Sequence, residues 1–325
     1  MIYLHCRMKV FTGIDIGATN MNIGLVAEHG QVLCESVLPT CPGKEPEDAL
    51  NRIAGSVKQM LSTLQDAKEC RGIGIGIPGL IDTEKGCILE ASNLPGWRDY
   101  PVAVYLSAAL DVPAFIENDA NLAALGEFWI GAGQEAESLF MVTLGSGIGG
   151  ALLSQGKILK MHPSAGEFGH MIIERSGAVC TCGRRGCLET YVSRHGFERL
   201  YRENLPGYQQ SSMKNTEPGS ISPQVIAGHA VRGDSLANLI FREAGEALGI
   251  ALSNVINLTG VSCIIVGGGI ANAWDLLQEP VMRSLKKNVF KSIFTGVKVS
   301  KAALGEKAGI LGAARLAMDS VMKPV

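Results

Sequence analysis

Val10-Phe11-Thr12-Gly13-Ile14-Asp15-Ile16, then Gly17-Ala18-Thr19-Asn20, then Met21-Asn22-Ile23-Gly24-Leu25-Val26-Ala27 is an apolar run, a short polar break and an alternating run. This order reads as a β-hairpin, with a further turn at His29-Gly30. The plan returns at Leu139 to Leu144, followed by Gly145-Ser146-Gly147-Ile148-Gly149-Gly150, the apolar Ala151-Leu152-Leu153 and a polar turn at Ser154-Gln155-Gly156. Each half then has a later buried strand that ends in a glycine loop: Gly72 to Ile77 before Pro78-Gly79, and Cys263 to Val266 before Gly267-Gly268-Gly269. Helices intervene in both. Asp48 to Leu64 places Leu50, Ile53, Val57, Leu61 and Leu64 on one face, and Leu236 to Ile256 carries a stripe through Leu239, Ile240, Ala247, Leu248, Ala251 and Leu252. The recurrence predicts an α/β lobe repeated in tandem, with two separate sheets and a cleft between them. The last helix, Glu306 to Met322, has Ile310, Leu311, Ala314 and Ala317 on one side and is expected to return over the first lobe. Arg202 to Pro223 is rich in Gly, Pro, Ser and Asn and reads as a surface connection without chemistry.

With 325 residues the chain exceeds the size at which one hydrophobic core keeps growing, so two domains are expected. Apolar residues make up 46% and charged residues 18%, which suits a compact enzyme and argues against extended disorder. The net charge is -2 with Lys and Arg scattered, so neither nucleic acid nor a membrane surface is an expected partner. No apolar run is long enough to span a bilayer, and Met1 to Arg7 is too short for a signal peptide, so a cytoplasmic protein is expected. Met8 directly precedes the first strand, and residues 1–7 read as an unstructured extension. Of the nine cysteines, those at positions 6, 34, 41, 70, 87 and 263 are scattered as reduced thiols would be, and only Cys180, Cys182 and Cys187 cluster.

Three groups of residues carry chemistry. Asp15-Ile16-Gly17-Ala18-Thr19 lies at a strand end where small residues let backbone N–H groups approach an anion, and Asp15 could hold the hydration shell of a metal. The same five residues could equally be a tight hairpin turn. No Walker-type loop occurs, and Gly145-x-Gly147-x-x-Gly150 matches a dinucleotide fingerprint, but a strand rather than the required helix is expected after it. Asp119, in Glu117-Asn118-Asp119-Ala120-Asn121, sits where a strand gives way to a helix. There it could cap the helix, accept a proton from a sugar hydroxyl, or do both. His170 with Cys180-x-Cys182 and Cys187 supplies one imidazole and three thiolates, the ligand set of a closed tetrahedral zinc site. A redox or disulfide role would leave an odd thiol. Four protein ligands make such a zinc structural, a brace for Glu167, His170 and Glu189.

Together these features resemble the ROK family of sugar kinases, and within it the bacterial glucokinases. The residues that carry the resemblance are Asp15 to Thr19, Gly76-Ile77-Pro78-Gly79, Asn93-Leu94-Pro95-Gly96-Trp97, Asn118-Asp119-Ala120-Asn121, Thr143 to Gly150, Glu167-Phe168-Gly169-His170, the cysteine cluster through Glu189, and Val266 to Ile270. The resemblance implies an actin-like, ribonuclease-H-like two-lobe α/β fold. Residues 8–119 plus 302–325 would form the smaller N-terminal lobe, and residues 120–301 the larger C-terminal lobe with a zinc loop at 167–189. It implies ATP with magnesium (Mg2+) and a structural Zn2+, a hexose phosphorylated on its 6-hydroxyl, glucose first, and a homodimer. Asp119 would be the general base. Gly79, Asn93, Asn118, Asp119, Glu167, His170 and Glu189 would read the sugar. Asp15, Gly17, Thr19, Asn20, Thr143, Gly145, Ser146, Gly147, Gly267, Gly268 and Gly269 would hold the nucleotide. His170 would serve twice, one ring nitrogen on zinc and the other toward the sugar.

Ser146 stands where the family more often has Thr, and Ala151 where Gly is frequent. The stretch Cys187-Leu188-Glu189-Thr190-Tyr191-Val192-Ser193-x-x-Gly196-Phe197 also resembles the N-acetylglucosamine kinases of the family, so an N-acetylglucosamine or N-acetylmannosamine kinase is the alternative. A sugar-responsive repressor of the same family is disfavoured, because Met1 to Lys9 cannot contain a helix-turn-helix. An NAD-dependent oxidoreductase would rest on the single glycine fingerprint, and a non-catalytic actin-like protein would have no need of Asp119 and Glu167.

Overall fold

The computed structural model describes residues 8–41, 43, 45–64, 68–91, 94–160, 162 and 166–322. The proposed extension 1–7 and Asn93 lie outside them. In chain order the first elements are β1 (Met8–Ile16), β2 (Asn20–Ala27), β3 (Val32–Pro39), α1 (Pro46–Thr63), β4 (Lys68–Ile77), β5 (Leu80–Asp82), β6 (Cys87–Glu90), α2 (Val102–Leu110), β7 (Ala114–Asn118) and α3 (Asp119–Ile130). There follow β8 (Ser138–Leu144), β9 (Ile148–Ser154), β10 (Lys157–Ile158), α4 (Glu189–Val192), α5 (Arg194–Asn204), α6 (Pro223–Val231), α7 (Ser235–Thr259), β11 (Cys263–Gly267), α8 (Trp274–Asn288), α9 (Lys291–Phe294), β12 (Lys298–Lys301) and α10 (Lys307–Val321).

Two five-stranded sheets result, ordered β3-β2-β1-β4-β7 and β10-β9-β8-β11-β12. The two orders have the same form: three consecutive strands, then two reached by crossovers. In the first sheet β1 runs antiparallel to β2 and parallel to β4, which is parallel to β7. In the second, β11 is parallel to both β8 and β12. The repeated hairpin pattern in the sequence thus corresponds to a repeated sheet topology.

Chain contacts group into two compact units, one of Met1–Glu137, Ala151–Ala165 and Ala303–Val325, the other of Ser138–Gly150 and Gly166–Ala302. Helix α3 belongs to the first unit, whereas the sequence reading divided the lobes at its first residue. The physical reason is close backbone packing with α10: a Cβ on Gly312 would lie 1.7 Å from the Leu122 carbonyl oxygen, so only glycine lets these helices meet.

Strand alternation explains the layers of the first unit. Val10, Ile14 and Ile16 of β1 point to one face, where they are buried with Leu50, Ile53 and Val57 of α1 and Val102 and Leu106 of α2. Each such fully buried aliphatic side chain contributes about 1.5–3 kcal/mol relative to leaving it in water. Phe11 points to the other face, packed with Ile310, Leu311, Ala314 and Ala317 of α10, as the period of that helix predicted. Gly13 and Gly74 make this packing possible, because a Cβ on either would come within 2 Å of a carbonyl oxygen of α10. Asp15 ends this glycine row.

In the second unit, Phe197 of α5 meets Phe241 of α7 edge-on at 5.0 Å between ring centroids, and Phe140 of β8 meets Phe168 in the same manner at 5.0 Å. The segment expected to be a surface connection contains the end of α5 and three short 3-10 turns, Leu205–Gly207, Ser212–Asn215 and Pro218–Ser220. Asp234 anchors it: its carboxylate accepts from the Ser211 hydroxyl and the Ser212 N–H and also caps α7 through the Ala237 N–H. No helix among the described residues is long and apolar enough to cross a membrane.

Candidate active site

In the first unit, the predicted residues converge on the carboxyl ends of three adjacent parallel strands, the edge where α/β sheets bind ligands. Asp15 of β1 lies in register with Gly76 of β4, and Ile77 of β4 with Asn118 of β7. Asn118 caps α3, its Oδ1 accepting from the N–H groups of Ala120 at 3.0 Å and Asn121 at 3.4 Å. The Asn118 amide also donates to the Gly79 carbonyl at 3.3 Å, tying the β4 turn to the helix start. The capping role considered for Asp119 therefore belongs to Asn118. Asp119 is the first helical residue, its Oδ1 2.8 Å from the Ala120 N–H, where the helix field favours a carboxylate.

Asp15 is half-buried on the α10 face, beside Gly309, and it has a carboxylate neighbour. Burial foremost, and then the charge of Asp119, push the Asp15 carboxyl up to about 7, against a hydrogen bond from Asn22 that lowers it. Two mutually repelling carboxylates are a hard-oxygen donor set suited to a divalent cation such as magnesium.

Beneath them, Glu117 is 4% exposed. Its Oε1 accepts from the Asn118 N–H at 2.8 Å and the Asn121 amide at 3.0 Å, while Lys160 Nζ sits 2.8 and 2.6 Å from its two oxygens. The Asn118-Asp119-Ala120-Asn121 corner thus stands on a partly buried ion pair.

In the second unit the two glycine loops are neighbours, since Thr143 of β8 lies in register with Gly267 of β11. Gly145 N–H bonds the Gly147 carbonyl at 2.9 Å, closing a tight turn, and the Gly145 carbonyl accepts from Arg194 N–H at 3.0 Å. Gly268 has φ +85° and no room for a side chain, because a Cβ would fall 2.4 Å from the Leu144 carbonyl oxygen. A strand, β9, follows the Gly145 turn, so the dinucleotide fingerprint lacks its helix. Beyond Gly269 lies a cavity of about 520 Å³, lined among others by Ala227, Val231 and Arg232 from α6 and its end, and by Ile270, Asn272 and Asp275. Its mostly apolar wall with polar groups at intervals suits a nucleoside.

The four expected metal ligands come together. One ligand atom from each of His170, Cys180, Cys182 and Cys187 lies within 4.8 Å of all the others. Cys182 Sγ and Cys187 Sγ are 3.7 Å apart, as are Cys180 Sγ and His170 Nδ1. A tetrahedron with Zn–S bonds of about 2.3 Å has an edge of about 3.8 Å. A disulfide would need about 2.05 Å. Burial and the neighbouring thiols push the Cys187 thiol up, a penalty that a bound cation reverses. Two loop hydrogen bonds shape the ligand cage, Cys180 N–H to the Arg184 carbonyl at 2.7 Å and Gly183 N–H to the Cys180 carbonyl at 2.9 Å. Glu167 Oε2 lies 3.9 Å from His170 Nε2, the ring nitrogen on the side away from Cys180. Glu189, at the start of α4, accepts from Ile148 N–H at 3.2 Å and so links the cysteine loop to the Gly147 turn.

The family model of the ROK family matches residues 11–320 of this chain. The chain belongs to the ROK family. Among its relatives, the glucokinase of Halalkalibacterium halodurans is 33% identical over 309 residues, 93% of each chain. The glucokinase of Thermotoga maritima is 33% identical over 95% of this chain and 97% of its own. The crystal structure of a ROK family glucokinase from Streptomyces griseus in complex with glucose and AMPPNP superposes with a TM-score of 0.78 at 29% identity, covering 95% of this chain and 99% of that one. The two-lobe α/β fold expected from the motifs is the fold of these ROK structures.

Sequence reasoning missed Lys160, which no motif flags, and the α6 wall of the cavity. Only the side of the cavity formed by Ile270 and Asn272 was signalled, since Gly267-Gly268-Gly269 runs directly into them; the α6 side has no such sequence neighbour.

Proposed function

We propose that this ROK protein is an ATP-dependent hexose kinase that phosphorylates the 6-hydroxyl of glucose, with Asp119 as general base. The observation that carries the reading is the placement of Asp119 at the first turn of α3, held by the Asn118 cap above the Glu117–Lys160 pair. A carboxylate so fixed accepts the proton of the sugar hydroxyl as that oxygen attacks the γ-phosphorus, and the bond to the β,γ-bridging oxygen breaks to release ADP. The glucokinase relatives support glucose as the first sugar to test.

Gly79, Asn93, Asn118, Glu167, His170 and Glu189 are proposed to read the remaining hydroxyls. Asp15, Gly17, Thr19, Asn20, Thr143, Gly145, Ser146, Gly147 and Gly267 to Gly269 are proposed to hold the nucleotide, with its base in the α6 cavity. Magnesium held against Asp15 would supply positive charge to the phosphates. Zinc on His170, Cys180, Cys182 and Cys187 would be structural, because four protein ligands leave no open position. His170 Nδ1, on the Cys180 side, would be the ligand nitrogen, and Nε2, on the Glu167 side, would be left for the substrate. A homodimer, by likeness to the family, completes the reading.

A coupled ADP-release assay over glucose, mannose, fructose, N-acetylglucosamine, N-acetylmannosamine and allose tests the activity and ranks the sugars. Glucose is expected to give the highest kcat/KM, and an N-acetylated sugar in that place would transfer the assignment to the amino-sugar kinases. Asp119→Ala is expected to retain glucose binding and to lose about 10²–10⁴-fold in kcat. Near-normal turnover in that variant refutes the base assignment.

A further inference from the structure

Thr40 follows β3 and is 2% exposed, yet its hydroxyl and its backbone N–H are committed to the turn between β1 and β2. Its hydroxyl donates to the Gly17 carbonyl at 2.6 Å, and its backbone N–H donates to the Thr19 carbonyl at 2.8 Å. Two carbonyls of this turn therefore point at one buried residue. In a trans peptide the C=O and the following N–H point in opposite directions, and no cis peptide occurs among the described residues. The N–H groups of Ala18 and Asn20 consequently face away from Thr40. Amide hydrogens attract an anion and carbonyl oxygens repel it, so the orientation of these two peptides decides whether the turn accepts or rejects phosphate.

Gly17 makes an external anchor necessary. Without a Cβ it rotates with little steric resistance, and the Gly17–Ala18 peptide has no side chain of its own to hold it. Thr40 is itself fixed from α1. Arg52 donates to the Pro39 carbonyl at 2.6 Å and to the Thr40 carbonyl at 3.2 Å, and its Nε is held by Asp48 at 2.9 Å.

We propose that Thr40 is a positioning residue that aims the Ala18 and Asn20 amides at the polyphosphate of the bound nucleotide, and that Arg52 holds Thr40 in place. The inference rests on the kinase reading above and adds to it a determinant of phosphate affinity outside the motif. Because the effect acts only through phosphate, it separates from general damage to the fold: adenosine, which lacks phosphate, must be indifferent to it.

The test is calorimetric binding of a non-hydrolysable ATP analogue and of adenosine to the full chain with magnesium, for wild type, Thr40→Val, Thr40→Ser and Arg52→Gln. Loss of one charge-assisted peptide orientation predicts about tenfold weaker analogue binding by Thr40→Val. Adenosine affinity should stay within about twofold, and Thr40→Ser should recover most of the loss. Arg52→Gln should show the same split at about threefold, and it decides the matter if Thr40→Val does not fold. Equal losses for analogue and adenosine, or unchanged analogue binding in both Thr40→Val and Arg52→Gln, overturn the proposal. If wild type turns over glucose while Thr40→Val binds the analogue normally, this inference fails alone. If wild type binds no nucleotide, the kinase reading fails with it.

Discussion

Replacing Lys160 by Met removes the positive partner of a carboxylate that cannot reach water. Glu117 is 4% exposed, and Lys160 Nζ lies 2.6 and 2.8 Å from its two oxygens. Breaking a buried pair from one side costs about 3–5 kcal/mol, since the remaining charge is left uncompensated. Two features of the site reduce this. Glu117 keeps hydrogen bonds from the Asn118 N–H and the Asn121 amide, and the Lys160 side chain is 20% exposed, so water can partly replace it. The expected loss is about 2 kcal/mol, or a fall of about 5 °C in the unfolding midpoint for a unit of this size. Scanning calorimetry on Lys160→Met, Glu117→Gln and the double variant measures it. The double variant should regain at least half of the loss of Lys160→Met, because a neutral amide replaces the stranded carboxylate. An unchanged midpoint in Lys160→Met, or a double variant no better than the single one, refutes the account. Turnover should fall alongside, as Glu117 holds the corner that carries Asp119.

Cys182→Ser should bind less than one zinc per chain by elemental analysis and lose glucose affinity and thermal stability together; a zinc-free, fully active variant contradicts the structural role. Asp15 provides a pH test without nucleotide or magnesium. Its folded-state value of about 7 lies above the ordinary 3.8, so the stability linked to it is present below pH 3.8 and is lost as pH rises to about 7. Asp15→Asn removes that slope, of about 1.4 kcal/mol per pH unit at most, and should be more stable than wild type at pH 8 while transferring no phosphate. Parallel stability profiles for the two proteins contradict the assignment.

Much of the architecture was readable because its causes are local. The hairpin of β1 and β2 and the helices α1, α7 and α10 follow from apolar periods of two and 3.6 residues and from the glycines between them. The cysteine cluster was readable for the same reason, since three thiols and an imidazole within one loop admit few other uses. At the β7–α3 corner the same logic went one residue astray. Both Asn118 and Asp119 are good capping residues, and the chain alone does not say which one carries helical backbone angles. The first-unit membership of α3 was equally invisible, because Gly312 and Leu122 meet only after the chain has passed through the second unit.

The sequence by itself determined where the candidate residues fall: Asp119 at a strand-to-helix junction, the glycine turns after β1 and β8, and His170 with three cysteines close in sequence. The tertiary structure decided what holds them. Lys160 reaches Glu117 across 43 positions of sequence, and Thr40 reaches Gly17 across 23. The α6 wall meets Gly269 only where the chain returns. These partners are set by sheet order and helix packing, which sum many weak long-range contacts, whereas turn and ligand chemistry is set by a few adjacent residues whose covalent neighbours suffice to constrain them.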